Sequence, residues 1–471
     1  MQMKTEAPGS PGDADVHVVV LAGGRGLRMA TRTPKVLLPM AGRPLLEWVL
    51  HAVNAIGPAS TTVILGYSAE SVEFTLARGS VTIVVQKPLL GPVHALAALE
   101  GAIDAMRGTI LVFPADVPML SAGTLRALVG HRASSQAALT AVVAHAERPY
   151  GLLRVLRSDT GDVVGLISEK DASRQQRAIR ECTSGVFACR PDALRDALAT
   201  FAWDRPSRER TLGEFVDALR RLGHAVDSVT ATAAHEIRDI NSQTQLAEAS
   251  AIMRQTKCEE LMSAGVTIID PATTYVGPDV EVGHDTVLHP NVYLEGRTTV
   301  GDACEIHAGS RLVNAAIDDH VVILNYCVIT DSHVSAHAQL GPFAHLRPGS
   351  DVGESARVGN YVELKQTTLG RNSKASHLAY LGDATIGEDV NVGAGVITCN
   401  YDGHKKHPTV IEDGAFIGSD SQLIAPVRVG RGAFVAAGSS ITQDVPEEGL
   451  AIARSRQENK DGWARRRSGP A

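Results

Sequence analysis

The sequence predicts two structural classes in one chain: a Rossmann-like α/β domain first, then a left-handed parallel β-helix built from hexapeptide repeats. Three observations predict this. Short apolar runs alternate with amphipathic stretches up to residue 242, whereas an aliphatic–glycine pattern with a six-residue period runs on from residue 264. The composition holds 44 glycines but only 4% aromatic residues. Many small residues and few rings suit narrow coils better than one thick core. At 471 residues the chain also exceeds a single ordinary core.

In the first half, Val16–Leu21, Thr62–Leu65, Thr82–Val85 and Thr109–Phe113 read as buried strands. Leu45–Ile56, Ala95–Met106 and Ser121–His131 read as helices between them. Alternation of this kind predicts a doubly wound, mainly parallel sheet with ligands at the carboxyl ends of its strands. The chain divides into a flexible tail over 1–14, this α/β domain over 15–242, a linker helix over 243–263, the β-helix over 264–455 and a basic tail over 456–471.

In the second half, glycine follows an aliphatic residue at Val276, Val282 and Val300, at Val352 and Val358, at Ile386 and Val392, and at Ile417 and Val429. The gaps within each block are 6, 18, 6, 6 and 12 residues, all multiples of the same period. Each period makes one flat side, and three sides make a triangular coil whose aliphatic residue points inward. The phase slips only between blocks, which marks loops pushed out of the coils. The polar segment Cys399–Pro408 is the clearest of them.

The bulk numbers exclude several classes. A net charge of −7 argues against a general nucleic-acid binder. No run approaches the roughly 18 apolar residues needed to span a bilayer, and no apolar signal core follows a basic start. The six cysteines form no CxxC pair, so neither a cysteine zinc site nor a disulfide framework is indicated. Reduced thiols and a cytoplasmic location are expected.

A period alone gives a scaffold; side chains must carry the chemistry. Between Gly341 and Val445 the coils carry Leu346-Arg347-Pro348-Gly349, Val362-Glu363-Leu364-Lys365, Ser373-Lys374-Ala375-Ser376-His377-Leu378-Ala379-Tyr380, Asn391-Val392-Gly393, Cys399-Asn400-Tyr401-Asp402-Gly403 and Gly418-Ser419-Asp420. Here the chain closely resembles the bifunctional enzymes of bacterial UDP-N-acetylglucosamine synthesis, in which a glucosamine-1-phosphate acetyltransferase is joined to an N-acetylglucosamine-1-phosphate uridylyltransferase. The resemblance is specific over 341–454 and weaker before residue 240.

The resemblance implies acetyl-CoA and UTP as co-substrates, Mg²⁺ as the metal and a homotrimer that builds its acetyltransferase sites between subunits. His377 falls at the base position; imidazole suits this work because its pKa lies near the working pH. Arg347, Lys365 and Lys406 fall where cations grip the sugar phosphate. Tyr380 and Asn391 would hydrogen-bond the sugar. Asn400 would steady the site from the projecting loop, and Tyr401 would border acceptor and acyl donor. Ser419, Ala437 and Arg454 fall at coenzyme A positions.

After the first strand comes Leu21-Ala22-Gly23-Gly24-Arg25-Gly26-Leu27-Arg28-Met29, then Pro34-Lys35. Glycines let backbone N–H groups approach phosphates, and Arg28 and Lys35 add positive charge. This is neither a P-loop nor a dinucleotide fingerprint. It matches the sugar-nucleotide transferase signature, which implies Leu21, Gly23, Gly24, Arg28 and Lys35 as nucleotide contacts. Gln86 and Gly91 fall where the family reads the uracil edge, and Gly151 falls at a further nucleotide position. Asp116 and Asn241 match the two metal-holding positions.

Several family positions differ. The Gly-Thr-Gly-His loop reads Gly91-Pro92-Val93-His94, a usual Gly is Ala115, and a usual Gln is Leu89. A sugar-contacting Glu becomes Ser168, a sugar-contacting Asn becomes Thr183, and Tyr-Gly-Arg becomes Tyr150-Gly151-Leu152. Two readings follow for this half: a different sugar-1-phosphate, or a degenerate nucleotide-binding module beside a working acetyltransferase. A third reading makes the β-helix a mere assembly device, against which His377, Lys365, Tyr380 and Asn391 together argue.

Overall fold

A computed structural model describes residues 15–76, 81–203 and 209–467. The expected tail over 1–14 and the end of the basic tail, 468–471, lie outside the described residues. The chain forms two units, Met1–Met253 and Arg254–Ala471.

The first unit is built on a ten-stranded sheet. Thr82–Val85, Ser60–Leu65, Val16–Ala22 and Thr109–Pro114 lie side by side and parallel. The β-branched run of Val16–Ala22 explains its central place, since such residues pack well on a pleated face. Thr82–Val85, expected to be buried, is instead the edge strand, with Val85 42% exposed. Beyond Thr109–Pro114 the sheet changes direction. Phe187–Cys189 runs antiparallel to Thr109–Pro114 and to Leu139–His145, and Leu153–Arg157 pairs antiparallel with Val163–Ile167. The sheet is therefore mixed rather than mainly parallel. The expected helix over Ala95–Met106 is two short ones, Pro92–Ala97 and Glu100–Ile103. Pro92 sits at the first helical position, where its missing N–H is not needed.

A helix spans Gln243–Ser263. Its Leu246 and Ala249 pack with Met29, Met40 and Ile240 in the first unit, and its Cys258 and Leu261 join the core of the second.

That second unit is a left-handed parallel β-helix of three sheets with eleven, ten and nine strands. Its strands are two to four residues long and stack in register. One inward column reads Leu294, Leu312, Ile329, Leu346, Leu364 and Leu381, every member fully buried. Burying each such side chain stabilises the fold by about 1.5–3 kcal/mol before entropy is counted. Buried hydroxyls close the corners: Thr367 Oγ1 donates to Leu381 O at 2.9 Å and accepts from Ala384 N at 3.3 Å. Cys304 fills a similar corner, with Sγ 3.1 Å from Asp318 O. The six cysteines are all free, and burial pushes the Cys327 thiol up to about 11.

Pairing on one face jumps from Asn391 to Phe416, where the preceding step runs from Lys374 to Asn391. The extra residues form the expected projecting loop, closed by an antiparallel bridge between Tyr401 and Lys406. No described helix is long and apolar enough to cross a membrane.

Candidate functional site

In the first unit the site lies at the carboxyl ends of the parallel strands. A cleft of about 940 Å³ is lined by Leu21, Gly23, Gly24, Lys35, Gly91 and Asp116. Gly23 packs closely here: a Cβ on it would sit 3.2 Å from Gln86 Oε1 and in ordinary contact with the Gly66 backbone. Gly26 adopts a left-handed φ of 60°, and a Cβ there would meet Lys35 Cβ at 2.8 Å. The turn therefore packs directly onto the lysine stem.

Lys35 is 7% exposed, and its Nζ donates to Asp116 Oδ2 at 2.5 Å and to Asn241 Oδ1 at 3.0 Å. Two oxygens from distant parts of the chain thus converge on one positive charge. Asn241 Nδ2 in turn donates to Asp239 Oδ2 at 2.5 Å. Burial, with the Asp116 carboxylate nearby, pushes Asp239 up to about 6. Such a seat of hard oxygens fits Mg²⁺, which takes one or two carboxylates and leaves the rest to phosphates and water.

The other expected residues are placed differently. Arg28 is exposed, and it is Arg25 that lines the cleft. Gln86 is buried, with Nε2 donating to Gly91 O at 3.1 Å and lying 2.9 Å from His94 Nδ1. It ties the Gly23 turn to the Gly91 loop. Desolvation lowers the His94 pKa. The Gly151 N–H donates to Glu169 Oε2 at 2.7 Å.

The departures acquire physical reasons. Ser168 lines the cleft, but its Oγ donates to Asp171 Oδ2 at 2.5 Å. Thr183 is fully buried and accepts from Gly185 N at 3.1 Å. Leu152 is buried, and Arg154, two residues on, is only 1% exposed and donates to the Pro149 and Leu152 carbonyls. Sequence reasoning missed Lys170, Ser184, Glu209 and Asp239, all on the cleft wall. Asp239 could have been found as the carboxylate two residues before Asn241. Ser184, whose buried Oγ has no partner among the described residues, has no sequence signal.

In the second unit the expected residues divide between two faces of the prism. Lys365 and Tyr380 lie on strands of the ten-stranded sheet, Arg347 directly follows one, and Asn400 follows another. His377 and Asn391 lie on the eleven-stranded sheet, and Ser419, Ala437 and Arg454 follow its later strands. Only Leu378 and Ala379 separate His377 from Tyr380, so the corner between the faces brings the two parts together along the chain.

His377 Nδ1 lies 2.8 Å from Asn360 Oδ1, its register partner one coil away. An amide oxygen can only accept, so Nδ1 is the donor in this contact, and the neutral form of the ring has its lone pair on Nε2. Sequence reasoning missed Asn360. Arg347 Nη1 donates to Glu363 Oε1 at 2.9 Å. Asn400 Nδ2 donates to Asp383 Oδ2 and lies 3.5 Å from the Tyr380 hydroxyl.

The Lys406 ammonium lies against Lys365 and holds it below the ordinary lysine value, while Asp383 opposes the shift. The Lys406 loop is itself fixed. Asp402 Oδ1 accepts from the Lys405 N–H at 2.6 Å and the His404 N–H at 2.7 Å. These bonds, with His407, hold the Asp402 carboxyl down to about 2.

Residues 18–222 match the MobA-like NTP transferase domain, and residues 408–443 match the bacterial transferase hexapeptide (six repeats). Whole-length relatives also match. A bifunctional protein GlmU of an Exiguobacterium species is 44% identical over 95% of this chain and 99% of its own. One from Shouchella clausii is 43% identical over 95% and 98%, and one from Pelobacter propionicus is 41% identical over 95% and 98%.

Proposed function

Since the chain belongs to the family of bifunctional GlmU proteins, we propose that its two units divide two successive transfers between them, with the residue roles set out here. The protein is an acetyltransferase and a uridylyltransferase of UDP-N-acetylglucosamine synthesis. The β-helix moves an acetyl group from acetyl-CoA to glucosamine-1-phosphate. The α/β domain then joins N-acetylglucosamine-1-phosphate to UTP and releases pyrophosphate.

One observation carries the assignment of the acceptor site: the Lys406 and Arg347 charges both act on the Lys365 ammonium and hold its pKa down, so three cations gather at one place. Like charges placed together repel, and a phosphate between them turns that repulsion into attraction. Arg347, Lys365 and Lys406 hold the phosphate, and Tyr380 and Asn391 orient the sugar. The amine nitrogen attacks the thioester carbonyl, and the carbon–sulfur bond breaks to release coenzyme A. His377 Nε2 takes the proton that the nitrogen loses. Asn400 fixes Tyr380, Tyr401 borders acceptor and thioester, and Ser419, Ala437 and Arg454 contact coenzyme A.

The cations and the coenzyme A residues occupy different faces of one chain. A homotrimer, in which a neighbouring copy supplies the second face, completes the site. Co-expressing Lys365→Ala chains with Arg454→Ala chains, assayed at low acceptor and acetyl-CoA concentrations, tests this. Restored acetyl transfer in the mixture supports shared sites, and a mixture as inactive as its parents rejects them.

The Gly23–Gly24 turn, Leu21 and Gly91 of the α/β cleft surround the nucleotide, Arg28 and Gly151 reach it from outside the cleft wall, and Gln86 shapes the uracil end. Lys35 neutralises phosphate charge. Asp116 and Asn241 would hold Mg²⁺, which would supply charge compensation for the departing pyrophosphate. The sugar phosphate oxygen attacks the α-phosphorus of UTP as the bond to pyrophosphate breaks. Free, mostly buried thiols suit a reducing cytoplasm. The deciding assay gives the purified protein acetyl-CoA, glucosamine-1-phosphate, UTP and Mg²⁺, and follows thiol and pyrophosphate separately. Thiol release without pyrophosphate would leave the α/β unit as a binding module.

A further inference from the structure

Near the start of the β-helix, in coils that precede the acetyl-transfer residues, three side chains meet in an arrangement that neither transfer uses. Strands Val287–Leu288 and Glu305–Ile306 are adjacent in the eleven-stranded sheet. His289 and His307 each follow one of them and continue the ladder, their N–H groups donating to Ile306 O and Ile323 O. Ile306 points into the core, so Glu305 and His307 on either side of it point out. His289 lies one coil from His307 in the same column, and their rings stack with centroids 4.4 Å apart.

Both imidazoles turn the same atom toward the same oxygen: His289 Nε2 and His307 Nε2 each lie 3.2 Å from Glu305 Oε1. The three donor atoms all fall within 4.8 Å of one another. The histidines are 25% and 23% exposed and the glutamate 46%, so the group is backed by the coil and open on its outer side. Among the described ion pairs, Glu305 meets only these two imidazoles.

Both imidazoles can satisfy one carboxylate oxygen only if each carries a proton on Nε2. A cation removes that requirement, because each neutral ring then offers a lone pair and the carboxylate a full charge. Two imidazoles and one carboxylate, with an open fourth position, are the donor set of a zinc-type site. Hard ions such as Mg²⁺ prefer an all-oxygen set. We propose that His289, Glu305 and His307 bind one divalent transition-metal ion, Zn²⁺ or its spectroscopic substitute Co²⁺, and so clip together two successive coils at the head of the β-helix.

The test uses the full chain, freed of metal by a chelator and titrated with Co²⁺ and Zn²⁺ in excess Mg²⁺. The expected result is one equivalent per chain bound in the micromolar range or tighter, with a visible Co²⁺ band and a rise in melting temperature. Glu305→Gln keeps the shape and removes the charge; His307→Asn removes a nitrogen donor. Each is expected to weaken binding at least tenfold and abolish the band, with far-UV dichroism and both transfer activities retained. Equal affinity in wild type and Glu305→Gln, or displacement of Co²⁺ by millimolar Mg²⁺, would overturn the site.

Discussion

The two halves of this chain present chemistry in different ways. In the β-helix the inward positions repeat, with Leu346, Leu364 and Leu381 in one column, while the outward positions on the same strands carry Glu363, Lys365 and Tyr380. Backbone hydrogen bonds to the coils on either side fix each such side chain at a register position. In the α/β unit the reactive groups sit on turns beyond strand ends, and their positions depend on packing such as Lys35 beneath Gly26. A periodic scaffold fixes its display by repetition. A sheet-end cleft fixes it by a few contacts, and each contact can change alone. The outward side chains of the β-helix accordingly keep one register, whereas at the cleft Ser168 and Thr183 bond to protein neighbours.

The sharpest way to break this comparison is to remove the base. His377→Ala is expected to lower acetyl transfer by about 10²–10⁴-fold, the usual share of general base catalysis. Pyrophosphate release from UTP, with N-acetylglucosamine-1-phosphate as acceptor, should be unchanged, because residue 377 belongs to the other unit. A parallel loss of both activities would show that the halves are not independent. Asn360→Ala, which removes the acceptor of Nδ1, should lower kcat for acetyl transfer while leaving the acceptor KM nearly constant.

The reciprocal experiment comes next in size. Asp116→Ala removes one of the two oxygens around Lys35. It is expected to reduce uridylyl transfer by about 10²-fold or more, the scale seen when one preorganised electrostatic group is lost. Coenzyme A release should continue at the wild-type rate. Pyrophosphate release that survives the substitution would place the metal elsewhere.

Loss of one phosphate contact should be milder. Charge-assisted hydrogen bonds contribute about 1.5–3 kcal/mol, so Lys365→Ala should raise the acceptor KM about 10- to 100-fold. The same substitution relieves the repulsion from Lys406, and the penalty should fall toward the lower figure. Lys365→Arg should recover much of the binding. An unchanged acceptor KM in Lys365→Ala would remove the lysine pair from the phosphate site.

How much of this was readable from the sequence follows the same division. The β-helix was readable because a hexapeptide period forces one architecture, and its loop at Cys399–Pro408 showed as a break in phase. The parallel half of the α/β sheet was readable from its valine-rich runs. The antiparallel half was not: Leu153–Arg157 carries two arginines, and the burial of Arg154 depends on carbonyls supplied by Pro149 and Leu152. Among site residues, those inside motifs could be named. Asn360 could not, because its meeting with His377 depends on coil register rather than on nearness in sequence. Ser184 and Glu209 reach the cleft from separate segments through tertiary packing alone.

The smallest expected effect concerns the sugar end of the cleft. Ser168 faces the cavity, yet its hydroxyl is spent on Asp171, and Thr183 is spent on the Gly185 N–H. Both hydroxyls thus bond to protein neighbours, while Ser184 Oγ on the cleft wall has no partner among the described residues. Neutral hydrogen bonds are each worth about 0.5–1.5 kcal/mol net, so each lost grip weakens sugar binding only severalfold. Ser168→Glu places a longer carboxylate at the cavity edge, where Lys170 also stands. It should lower the KM for N-acetylglucosamine-1-phosphate severalfold, with little change in the KM for UTP. If this KM instead rises, and another sugar-1-phosphate turns over better in the wild type, the serine belongs to a cleft selective for that other sugar. The selectivity would then follow from which side chains face the cavity, with the phosphate and metal contacts of Lys35, Asp116 and Asn241 left as they are.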